Sequence, residues 1–171
     1  MIAGVIVRFV LAVTIVMVGG FPSTSLGADD AGALALSKAL AQVKLFEGLA
    51  EAEMEELKHT ATLRRGQAGE RLVEQGKSLG RMFIILDGQA RILVNSKLIV
   101  TLSGQSLVGE IEFLDKLPAS ADVILINETD LIELNNGSLT ALMDKQPRLG
   151  YKLMRRIALI ECQRLRASTQ R

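Results

Sequence analysis

Between Leu63 and Gly109 the sequence alternates short β-type segments with glycines, and this pattern limits the possible folds more than any other feature. Strands are predicted at 71–74, 82–86, 90–94, 98–102, 107–109, 122–126 and 130–134. Hairpin turns are predicted at Asp87-Gly88 and Asn95-Ser96. Because no helical segment separates the strands, the pattern predicts an antiparallel sandwich or barrel rather than a parallel α/β sheet.

Helical segments are predicted on both sides of the strands. An amphipathic leader helix is expected within residues 29–44 and a short helix within 50–59. After the strands, a short helix is predicted at 139–145, and Pro147 fits the first turn of a longer one. The sequence therefore predicts one β unit with helices at each end.

The last predicted helix has one apolar stripe and a basic opposite face. The stripe consists of Leu149, Leu153, Ile157 and Ile160. We expect it to pack on the β unit, on a ligand, or on a second copy of the chain as a homodimer. The basic residues either form a solvated face or contact an anionic partner or membrane.

Composition excludes several functional classes. The 171 residues carry a net charge of +1, so no global field favours nucleic acid. A single cysteine, Cys162, and a single histidine, His59, allow neither a zinc site nor an internal disulfide. The sequence shows no nucleophile–base pair and no Walker-type loop, so we do not expect an enzyme.

Residues 1–28 have the pattern of a targeting segment. Arg8 precedes an apolar run, and small residues follow Pro22, as in a secretory signal peptide. An uncleaved membrane anchor at residues 2–21 fits nearly as well, because about 20 apolar residues span a bilayer. Both readings predict an exported (periplasmic or extracytoplasmic) or membrane-anchored domain. A start at Met17 would instead leave a cytoplasmic one.

The order of these elements resembles the cyclic nucleotide-binding domain family over residues 45–163. The resemblance rests on the glycine series Gly66 or Gly69, Gly76 and Gly88 around the apolar segment 82–85. It implies an α+β fold: an antiparallel β-roll, or jelly-roll-like double-stranded β-helix, with N-terminal helices and two C-terminal helices. Residues 164–171 are then expected to form a basic tail.

The stretch GEIEFLDKLPASAD, residues 109–122, resembles the phosphate-binding cassette of this family. The resemblance implies that Glu110 accepts a hydrogen bond from a ribose hydroxyl, although it could also simply close a local turn. The implied ligand-binding residues are Gly109, Glu110, Ile111, Ser120 and Ala121.

The sequence departs from the cassette pattern at Ala119, where the family places the arginine that grips the phosphate. Lys116 and Arg81 are the candidate substitute cations, with Lys77 as a further one. An arginine–phosphate contact makes two charge-assisted hydrogen bonds of roughly 1.5 to 3 kcal/mol each. Its loss predicts an affinity at least about 100-fold lower.

The resemblance thus implies a regulatory or sensor module in which binding of cyclic AMP or cyclic GMP is weak or lost. The alternative is a dimerisation or protein-interaction scaffold that binds no ligand. The catabolite activator family, which this stand-alone β-roll resembles, carries a helix-turn-helix domain after the long helix. Here the chain ends at Arg171, so we expect no specific binding of nucleic acid.

Overall fold

The structure, a computed structural model, describes residues 28–169 of the chain. The predicted signal peptide or anchor, as far as residue 27, and the alternative start at Met17 lie outside the described residues. Within residues 28–169, no helix is both long enough and apolar enough to cross a membrane.

Between residues 28 and 169, five α-helices and eight strands follow one another in nearly the predicted order. The helices are α1 Ala28–Ala41, α2 Glu51–Lys58, α3 Glu110–Asp115, α4 Asn136–Lys145 and α5 Pro147–Thr169, with a 3-10 turn at Lys44–Phe46. The strands are β1 Ala61–Gly66, β2 Arg71–Val73, β3 Arg81–Ile85, β4 Gln89–Val94, β5 Lys97–Ser103, β6 Ser106–Val108, β7 Asp122–Leu125 and β8 Thr129–Asn135.

The strands form two four-stranded antiparallel sheets. One sheet has the order β1-β8-β3-β6 and the other β2-β7-β4-β5. The helices lie before, within and after this roll. The prediction of an α+β fold with an antiparallel β-roll and two C-terminal helices is confirmed.

One of the two predicted hairpin turns is wrong. Asn95 and Ser96 have φ of 51° and 63° and join the paired strands β4 and β5, as a tight hairpin requires. The Asp87-Gly88 turn instead connects β3 to β4, which lie in different sheets. A Cβ atom on Gly88 would lie 2.7 Å from Thr129, so this connection needs glycine for close approach to another strand rather than for a hairpin.

Strand β1 was not predicted, because its charged residues interrupt the apolar pattern. Arg64 forms ion pairs with Glu70 at 2.8 Å and with Glu133 of the neighbouring strand at 3.1 Å. Arg65 is paired with Glu128 and Asp130 in the same way. Cross-strand ion pairs thus allow a strand whose sequence pattern does not indicate one.

The apolar stripe of α5 packs against the chain's own β-roll. Leu149, Leu153 and Ile157 are fully buried in a core shared with Leu40 of α1, and Ile160 packs at its edge. Of the three expected partners of the stripe, the β unit is therefore the one observed. A homodimer through these four side chains would require α5 to leave that core.

Helix α5 continues to Thr169, so residues 164–169, predicted as a basic tail, are part of this helix. Two of its basic residues bind acidic residues near the N-terminal helices: Lys152 binds Glu53 at 2.6 Å and Arg156 binds Glu47 at 3.4 Å. These pairs fix the middle of α5 to the helical end of the domain. The last turns of the helix extend over the cassette.

Candidate functional site

A cavity of about 500 Å³ lies between the cassette, the strands β2 and β4 to β7, and the last turns of α5. Its size is within the range of small-molecule sites. All five residues implied as ligand-binding line this cavity: Gly109, Glu110, Ile111, Ser120 and Ala121. The structure therefore brings the two ends of the predicted cassette together around one space.

Gly109 begins the cassette in a conformation that favours glycine. Its φ is +81°, and a Cβ atom there would lie 3.1 Å from the carbonyl oxygen of Arg81 and 3.3 Å from Cα of Met82. Close contact with β3 and a left-handed backbone therefore both require glycine. This turn directs the following residue, Glu110, inward at the start of α3.

Ala119 is fixed by its backbone to the loop between β2 and β3. Its N–H donates to the carbonyl of Lys77 at 3.0 Å, and its carbonyl accepts from the N–H of Gly76 at 2.8 Å. Its side chain is buried and lines the cavity. An arginine at this position would start at the cavity wall, as the family pattern implies, whereas alanine supplies no cation at this point of the wall.

Glu110 binds a cation from a distant part of the chain. Nη1 of Arg164, on α5, lies 2.6 Å from Oε1 of Glu110 and 2.9 Å from Oε1 of Glu161. Nη2 of Arg164 donates to the backbone carbonyl of Leu107. One guanidinium thus links the last turns of α5 to the cassette.

The carboxyl group of Glu110 is strongly affected by burial. Burial raises its pKa to about 7 and outweighs the opposing effect of Arg164, while Glu161 raises the pKa further. An ion pair alone would lower the pKa of a carboxyl group. The direction therefore indicates that the Arg164 guanidinium does not offset the loss of solvation that burial imposes on Glu110.

Glu112, two residues further along α3, has a structural role. Its two carboxylate oxygens accept the backbone N–H groups of Leu79 at 3.0 Å and Gly80 at 2.8 Å. Asp122, the last residue of the cassette, accepts the N–H of Gln75 at 2.9 Å. Both acids hold the loop between β2 and β3, and Glu112 also lines the cavity.

The candidate substitute cations do not line the cavity. Lys116 lies with its Nζ 4.7 Å from the ring centre of Phe113, and Arg81 binds Glu133 at 2.6 Å. Lys77 is likewise paired, with Glu74 at 3.0 Å. A role for these side chains in binding an anion stays a prediction.

Arg164 was not among the predicted site residues. It is separated from Glu110 by 54 positions, and no motif links the two. The available signal was the concentration of basic residues in the last helix. That signal does not distinguish an inward arginine from the exposed Arg155 and Arg166.

The rest of the cavity wall is mainly apolar. The aliphatic side chains come from β2, β4, β5, β6 and β7 and include Val73, Ile92, Leu102, Val108 and Val123. Among residues 28–169 no group of three His, Cys, Asp or Glu side chains is placed to hold a metal ion. The site is therefore an apolar cavity with charged side chains at one end, which suits the binding of a small molecule.

Comparisons with known proteins connect this geometry to a family. A family model described as the cyclic nucleotide-binding domain matches residues 63–146. A cyclic nucleotide-binding domain from Methylobacillus flagellatus has a TM-score of 0.69 at 22% identity, covering 85% of this chain and 84% of that one.

Two curated relatives also match. A Pycsar effector protein of Xanthomonas perforans is 28% identical over 61% of this chain and 36% of its own length. A cAMP-dependent protein kinase regulatory subunit of Mycosarcoma maydis is 31% identical over 54% of this chain. The matched part is 18% of the length of that subunit, so the chain spans only a minor part of both relatives. With its β-roll, its cassette and the family match over residues 63–146, this chain belongs to the cyclic nucleotide-binding domain family.

Proposed function

We propose that the chain is a small-molecule sensor module with weak affinity for cyclic nucleotides. The observation that carries the proposal is the cavity of about 500 Å³. Ala119 lines this cavity, together with the rest of the cassette and the last turns of α5. A ligand there would contact both Glu110 and Arg164, so its binding would change how α5 is held. We propose a regulatory rather than an enzymatic role.

Two features support weak binding of cyclic AMP and cyclic GMP. The cavity wall has alanine at the position of the phosphate-gripping arginine, and Glu110, the implied ribose acceptor, already binds Arg164 at 2.6 Å. A cyclic nucleotide would therefore lack two charge-assisted hydrogen bonds and compete with an internal ion pair. The missing bonds alone correspond to a loss of at least about 100-fold in affinity.

The proposal is tested by titrating the full chain with cyclic AMP and cyclic GMP in a calorimeter, alongside Ala119→Arg. We expect binding in the millimolar range or none for the natural chain, and a gain of about 100-fold or more for Ala119→Arg. Sub-micromolar binding by the natural chain would contradict the weak-affinity proposal. If Ala119→Arg gains nothing, the domain is better described as an interaction scaffold.

We further propose that the domain acts outside the cytoplasm, either exported or held at the membrane, on the basis of the N-terminal sequence pattern. Sequencing the N terminus of the native protein tests this. A mature end near Ala28 or Asp29 would support cleavage of a signal peptide. A start at Met17 would contradict both export and anchoring.

A further inference from the structure

The cavity is lined by more acidic than basic side chains. Among residues 28–169, three carboxyl groups, those of Glu110, Glu112 and Glu161, line it together with one cation, Arg164. Glu110 and Glu112 are both at most 8% exposed, so water screens them poorly. With these groups ionised, the wall carries more negative than positive charge.

The cation that the described part of the chain places on this wall already has partners of its own. Arg164 binds Glu110 at 2.6 Å, Glu161 at 2.9 Å and the carbonyl of Leu107. Glu112 accepts hydrogen bonds from two backbone N–H groups, which carry only partial positive charges. Burial raises the pKa of Glu110 to about 7, so its carboxyl group contributes fully to this inequality only above that pH. An anionic ligand would therefore meet a wall of its own sign.

We propose that the ligand of this cavity has an apolar body and a single amino cation, which binds the carboxylates of Glu110 and Glu161 in competition with the guanidinium of Arg164. The inference rests on the proposed function, because it names the class of ligand for the same sensor site. It explains the cavity's two parts together: the aliphatic wall accepts the body, and the acidic end accepts an ammonium group. It also accounts for the alanine at position 119, since an arginine there would repel this ligand.

The expected size of the preference follows from electrostatics. Unit charges about 6 Å apart interact by roughly 1 to 3 kcal/mol at the effective dielectric constant of a partly buried site. About 1.4 kcal/mol corresponds to tenfold in affinity. A cation should therefore bind at least about 10-fold tighter than an anion with the same apolar body.

Three indole probes of similar shape test the inference: tryptamine as the cation, tryptophol as the neutral compound and indole-3-acetate as the anion. The measurement is a nuclear magnetic resonance titration of the full chain that follows the backbone amides of Ser120 and Ala121. We expect tryptamine to bind tightest and indole-3-acetate weakest. If indole-3-acetate or tryptophol binds as tightly as tryptamine, the inference is overturned while the sensor proposal stands. If no probe moves these amides at millimolar concentration, the inference is overturned, and the sensor proposal is decided by the cyclic nucleotide titration.

Charge variants identify the groups responsible. Glu161→Gln should reduce the preference for tryptamine over indole-3-acetate several-fold. The matched control Glu55→Gln, on α2 and outside the cavity wall, should leave it unchanged.

Arg164→Gln removes the cation that competes with the ligand, so it should strengthen tryptamine binding, whereas Arg166→Gln, on the exposed side of α5, should not. A melting curve should first show that Arg164→Gln is folded. Weaker tryptamine binding by the folded variant would contradict the proposal that the ligand's ammonium group competes with Arg164.

Discussion

From Leu149 to Ile157, α5 buries a leucine or isoleucine against the β-roll at nearly every turn, whereas from Glu161 to Thr169 no side chain of the same helix is buried. Leu149, Leu153 and Ile157 are at most 2% exposed, but Leu165 is 68% exposed. The last turns are attached to the cassette through the polar contacts of Arg164.

The comparison shows that one helix combines two kinds of attachment. The first part is held by apolar burial, which is non-directional and insensitive to small changes in charge. The last turns are held by a guanidinium that contacts Glu110 in the cavity wall, so a ligand or a proton at Glu110 changes their attachment directly. A regulatory site gains from this arrangement, because the last turns can respond while the core stays intact.

Leu153→Ala is expected to have the largest effect on stability. It removes a side chain that is 2% exposed from the core, and truncations of this kind cost about 2 to 5 kcal/mol of unfolding free energy. Leu165→Ala, in the exposed part of the same helix, should change it by less than about 0.5 kcal/mol. Chemical denaturation of both variants checks this, and equal losses would contradict the division of α5 into two parts.

Glu110 should make stability depend on pH. Its pKa of about 7 in the folded chain exceeds the ordinary value of 4.5, so the folded state binds more protons than the unfolded state between these pH values. Stability should therefore fall as pH rises through this window, by up to about 3 kcal/mol in total. Denaturation at several pH values should show that Glu110→Gln loses this part of the pH dependence. A natural chain that gains stability relative to Glu110→Gln as pH rises would contradict the raised pKa.

Arg164→Gln should have a smaller effect on stability. The variant leaves Glu110 without its cation, but Arg164 is about one third exposed and Glu110 can take up a proton, so we expect a loss of about 1 to 2 kcal/mol near pH 7. Arg166→Gln is the matched control and should cost almost nothing. Equal denaturation midpoints for the two variants would show that the Arg164 contacts contribute nothing to stability.

The fold was largely predictable because its signals are local. Glycine at positions of positive φ, such as Gly76 and Gly109, and alternating apolar residues specify the strands and turns directly. The exceptions have physical causes: the strand Ala61–Gly66 depends on ion pairs with residues distant in sequence, and the Asp87-Gly88 turn connects two sheets instead of closing a hairpin.

The site was predictable only in part. The cassette is one continuous segment, so Gly109 to Ala121 could be identified together. Arg164 could not be identified, because its position depends on how far α5 extends and on the angle at which its last turns cross the cassette. Tertiary packing sets both, and no pattern in the sequence marks which of several arginines faces inward.

Hydrogen–deuterium exchange along α5 tests most directly that the two parts of the helix are attached differently. In the natural chain, amides of residues 161–168 should exchange at least about 10-fold faster than those of 150–157, because polar contacts at an exposed end open more readily than a buried core. Arg164→Gln should accelerate exchange only in residues 161–168. Arg166→Gln should not accelerate exchange in either part of the helix. Uniform exchange along α5, or equal rates in the natural chain and Arg164→Gln, would contradict the account.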